Sequence, residues 1–108
     1  DGAIIVRDGD GPVRARKGLA FAGFVGVTLV LDRKNRFAAD PVLHCEGVPE
    51  EAIRAVTSAV EEQAGKLSPR QLDNDADIED VIRRAVRREA QAVWGKKPIT
   101  RVQVVRLD

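Results

Sequence analysis

Phe24-Val25-Gly26-Val27-Thr28-Leu29-Val30-Leu31 is apolar or β-branched on both alternating sides, with Gly26 the one position lacking a side chain. A run of this length and composition reads as a central, well-covered strand of a sheet. Asp32-Arg33-Lys34-Asn35 follows as a polar turn, and Arg36 to Glu46 resumes extended character, so the pair predicts a β-hairpin. Pro41 has no N–H to give to a ladder, which places the second strand at a sheet edge, with room for a bulge there.

Gly47-Val48-Pro49-Glu50-Glu51 opens a helix, with proline suited to the first helical position and acids to the first turn. Ala52, Ile53, Val56, Val60 and Ala64 recur at three- and four-residue steps and form one apolar stripe that ends at Gly65. Ser68-Pro69 falls in a connection, and a second helix starts near Asp75 or Asp77, either of which can cap it. Its apolar side is Ile78, Val81, Ile82, Ala85, Val86, Ala90 and Val93, and Gly95 and Pro98 end it. Ile99 to Leu107 then alternates, with Val102 and Val104 facing one way and Arg101 and Gln103 the other. The order is β-β-α-α-β. A helical pair returns the chain to its starting end, so the last strand should run parallel to the first. The expected fold is an α+β two-layer sandwich: a three-stranded mixed sheet of order 2-1-3 with two helices on one face.

Residues 1–20, rich in Gly, Asp and Arg, read as a tether from an upstream region, and residues 21–108 as the folded domain. The chain has 108 residues, no Met, one Cys, one His and no Tyr. It therefore reads as a piece of a longer protein, with few parts for catalysis of its own. One Cys excludes an internal disulfide and fits a reducing, cytoplasmic setting. No apolar run approaches the roughly 20 residues of a membrane span.

The net charge of +1 is a cancellation: residues 46–80 carry −7 and residues 81–107 carry +7. Opposed blocks of this size suit a basic face for phosphate or an acidic partner. They also suit the macrodipole of a helix that starts acidic and ends basic.

The hairpin, the Gly47-Val48-Pro49-Glu50-Glu51 opening, the charged helical pair and Trp94-Gly95-Lys96-Lys97-Pro98-Ile99 before a Val-rich strand together resemble the C-terminal domain of ribonuclease J. Leu19-Ala20-Phe21-Ala22-Gly23-Phe24-Val25 resembles that family's entry into its first strand, while Glu89-Ala90-Gln91-Ala92-Val93-Trp94 departs from its usual aromatic-rich stretch. The resemblance covers about residues 19–107. It implies a parent enzyme of the metallo-β-lactamase/β-CASP type, an endonuclease and 5′-to-3′ exonuclease acting on RNA. Its divalent metal centre, zinc or manganese, would sit in a catalytic domain outside this chain, and no cofactor is implied here. This domain would support homo-oligomer formation and full activity.

No catalytic or metal-ligating residue is expected in this chain. His44-Cys45-Glu46 is the one cluster of ligand-type residues, and neighbours on a strand point to opposite faces, so His44 and Cys45 could not share a metal. Arg83, Arg84, Arg87 and Arg88 form two rows along one side of the second helix, and Lys96, Lys97 and Arg101 extend them into a candidate RNA-phosphate surface. The same rows also read as a solvated face, with Glu79 placed to pair with Arg83 and Asp80 with Arg84. Arg87 and Arg88 have no acid four residues earlier. A third reading sets these bases against the acidic first helix of a second copy.

Overall fold

The structure, a computed structural model, describes residues 23–108. The tether expected for residues 1–20 lies outside the described residues. The elements are β1 (Phe24–Leu31), β2 (Val42–Glu46), α1 (Glu50–Gly65), α2 (Pro69–Leu72), α3 (Asp75–Trp94) and β3 (Ile99–Arg106). The sheet order is β2-β1-β3, with β2 antiparallel and β3 parallel to β1. The α+β sandwich expected from the sequence is thus the fold.

Alternation along β1 sets everything that follows. Val25, Val27, Leu29 and Leu31 are buried, whereas Phe24, Gly26, Thr28 and Val30 are only half-buried. Both long helices lie on the side of the buried residues, as expected, so the apolar run of β1 is well covered on that face and half-buried on the other. The core joins the buried β1 residues to Val56 and Val60 of α1 and to Ile78, Ile82, Val86 and Ala90 of α3. Each such Val, Leu or Ile contributes about 1.5–3 kcal/mol through loss of water contact.

The hairpin closes on Asp32, whose Oδ1 accepts from the N–H of Lys34 (2.8 Å) and of Arg36 (2.9 Å), while Asn35 takes a left-handed φ of 61°. Its second strand is shorter than Arg36 to Glu46. Only an isolated Leu31–Phe37 bridge forms before Pro41, and the regular ladder starts after it at Val42. Gly23, at φ +81°, lets the chain enter β1 against the opposite turn. A Cβ there would lie 2.9 Å from the Gly47 carbonyl oxygen and 2.9 Å from Val48 Cγ2.

Two helix caps and one connection differ from expectation. Pro49 is the N-cap of α1, not its first helical residue, with its carbonyl accepting from Ala52 and Ile53. Asn74, not Asp75 or Asp77, caps α3, its side chain accepting from the N–H of Asp77 at 3.2 Å. Between the long helices stands the one-turn α2, where Ser68 and Gln71 form a reciprocal capping box. Gly95 closes α3 at φ 82°, as its position past the periodic run predicted.

Candidate functional site

The basic surface comes from α3 and the turn after it. The apolar stripe of α3 faces the sheet, so Arg84 and Arg88 are left exposed and Arg83 and Arg87 half-buried along the flank. Asp80 takes both Arg83 (3.6 Å) and Arg84, so the expected Glu79–Arg83 pair is replaced by an i,i+3 contact. Arg87 is not left uncompensated. It reaches across the turn, and its guanidinium donates to the Pro98 carbonyl at 2.9 Å. Lys96 Nζ sits 5.3 Å from the ring centroid of Trp94, a cation–π contact at the helix end. Arg88, Lys97 and Arg101 are exposed and make no ion pair among the described residues.

These side chains do not form one continuous stripe. Arg101 pairs with Gly26 in the register of the sheet and projects from its open face, away from the helices. The open face holds a shallow trough of about 490 Å³, lined among others by Phe24, Gly26, Val42, His44, Arg101 and Gln103, and reached by Glu79 from α3. At its centre the Phe24 ring lies over Gly26, 3.2 Å from where a Cβ would stand. Its centroid is 6.2 Å from that of His44.

His44 and Cys45 separate as strand geometry requires. His44 Nε2 lies 2.7 Å from Glu46 Oε2 on the open face, and Cys45 packs against the core, where burial pushes its thiol pKa up. No three His, Cys, Asp or Glu side chains converge on one point among the described residues. These residues do not fit a metal centre of the kind the resemblance implies.

The alternation rule could have found Phe24, His44 and Arg101 as open-face neighbours, but only once the register was known. Arg106 was missed for a different reason. It donates to Asp75 Oδ1 (2.8 and 2.9 Å) and to the Leu72 carbonyl (2.6 Å), and also to Asn35 Oδ1, and these partners lie 31 to 71 residues away. No short-range pattern encodes contacts of that span.

The described residues therefore make a two-layer α+β domain with one helix-covered sheet face, one open face and a divided basic surface. The chain belongs to the ribonuclease J C-terminal domain family, whose profile matches residues 11–107. It is also similar to ribonuclease J of Sinorhizobium meliloti (strain Sm2011 / Rm2011 / 2011), with 36% identity over 118 aligned residues that cover 99% of this chain and 20% of that protein. The chain thus spans about a fifth of the length of this relative. The family resemblance read from the hairpin, the Gly47–Glu51 opening and the Lys96–Ile99 turn is borne out.

Proposed function

We propose that this domain is a non-catalytic accessory part of a ribonuclease J-type nuclease, where it supports self-association and full activity on RNA. The observation that carries the reading is family membership across nearly the whole chain at a fifth of a relative's length. In this reading catalysis, with its zinc or manganese, belongs to the remaining length of the protein. Residues 1–20 serve as the tether to it, and a cytoplasmic setting fits the single thiol of Cys45. The test compares the full-length protein with a version lacking this domain, by light scattering across a concentration series and by RNA hydrolysis. Removal is expected to lower the number of subunits per particle in solution and to slow hydrolysis severalfold. An unchanged subunit number and an unchanged rate would sink the proposal.

A second reading, direct contact with RNA, is favoured by Arg88, Lys97 and Arg101, which are exposed and not engaged by an acid among the described residues. The further basic candidates Arg83, Arg84, Arg87 and Lys96 are already held by Asp80, Pro98 and Trp94. Arg88→Glu combined with Lys97→Glu should weaken RNA binding and flatten its salt dependence, measured as affinity against log salt. An unchanged slope leaves these side chains as a solvated surface.

A further inference from the structure

We propose that β3 is a pairing edge, and that two copies of this chain join antiparallel along it into one six-stranded sheet of order β2-β1-β3-β3-β1-β2. The proposal rests on the self-association reading above and names the surface that performs it.

The ladder shows which backbone groups are left over. Ile99 donates its N–H to the Gly23 carbonyl (2.9 Å) and Leu107 donates to Leu31 (2.8 Å), so the odd-numbered residues of this strand bond β1. In a parallel pair the intervening residues point their N–H and C=O groups the other way. Those of Thr100, Val102, Val104 and Arg106 thus face outward, and no described strand takes them.

The two edges of the sheet are built differently. β2 has five residues, follows Pro41 and carries the His44–Glu46 pair, all features that discourage further pairing. β3 has eight residues with no Pro, Gly or bulge. An edge of that length and regularity is a template for another strand.

The sequence of β3 is complementary to itself. With a two-fold axis at Gln103, Val102 bonds Val104 of the second copy and Thr100 bonds Arg106, engaging all the outward groups in about eight hydrogen bonds. On the open face, Arg101 then meets Val105, Gln103 meets Gln103, and Ile99 meets Leu107. No like charges stand opposite one another. Ile99 and Leu107, 56% and 46% exposed, are two of the four exposed large hydrophobic side chains among the described residues, and this register covers both at each end.

The test uses the full-length protein. Gln103→Glu sets two carboxylates face to face at the axis without touching the core. It is expected to weaken the dimer by about fivefold, read by light scattering or sedimentation. Val104→Pro removes an outward N–H that β1 does not use and should do the same. In a Cys45→Ala background, Gln103→Cys places the two Cα atoms about 4.5 Å apart, within disulfide reach, and mild oxidation should yield a reducible covalent dimer. Ser58→Cys, exposed on α1, should not. Should Val104→Pro fail to fold, the charge and cross-linking variants still decide. A dimer that survives Gln103→Glu with no cross-link at position 103 overturns the edge assignment while leaving the self-association reading intact. A wild type that stays monomeric at every concentration overturns both.

Discussion

Asp32 shows how one short side chain can organise a turn. Its carboxylate is held below the ordinary pKa of 3.8, first by the hydrogen bond from the Arg36 N–H, with Lys34 N–H and the Arg36 guanidinium adding to it. A carboxylate with a lowered folded pKa contributes stability above its unfolded pKa, and that contribution disappears as pH falls through the folded value. Acid unfolding of the wild type should therefore include a component below about pH 3.8 that Asp32→Asn lacks. Parallel acid titrations of the two proteins, followed by circular dichroism, check it, and superimposable curves below that pH would refute it. Asp32 was legible in the sequence as a turn residue because its bonds are local. Arg87 was not legible in the same way. Counting four residues back finds only Arg83, whereas its partner is the Pro98 carbonyl, brought near by the Gly95 turn.

At the level of elements, periodicity located every strand among the described residues and both long helices, and the misses fall at their ends and in the connection between the helices. α2 went unread although Ser68-Pro69-Arg70-Gln71 carries its own signal: a Ser cap, Pro at the first helical position and Gln at the third. A single turn has no apolar repeat to expose it. The α3 cap was read at Asp75 or Asp77 and falls at Asn74, because all three are good caps and only the backbone decides which has extended geometry. Asn74→Ala should lower stability by about 1 kcal/mol, seen as a lower urea midpoint at unchanged slope. An unmoved midpoint would show that Asp75 or Asp77 takes over the cap. β1 was correctly placed at the centre, but its two apolar faces were read alike. Residue types along a strand tell how well each face tolerates burial, and where the helices go tells which face is buried.

The whole molecule is tied by Arg106 at the end of β3, which joins the hairpin turn at Asn35, the carbonyl of Leu72 in α2 and Asp75 at the start of α3. Asn35 in turn donates to Asp73 at 2.6 Å. Arg106→Ala should cost about 1–2 kcal/mol, modest because the site is partly exposed, and should loosen three connections at once. Hydrogen exchange is expected to speed up together at the hairpin turn, α2 and the first turn of α3. Faster exchange in only one of them would mean that the clamp is local. The charge blocks look different at this scale. Asp75 and Asp80 from the acidic block bind Arg106, Arg83 and Arg84 from the basic one, so part of the polarity is spent inside the fold. Arg88, Lys97 and Arg101 remain exposed with no side-chain partner among the described residues, on different sides of the sheet.

By itself the sequence determined the order of elements, the 2-1-3 sheet, the split of β3 into a core-facing and a polar side, and the family, because all of these follow from spacing within short stretches. Tertiary structure alone decided which face of β1 the helices cover, that Arg87 and Arg106 act as internal ties, and that among the described residues β3 presents a long unpaired edge while β2 presents a short one. These depend on contacts between residues far apart in the chain, whose geometry exists only once the helices have packed on the sheet.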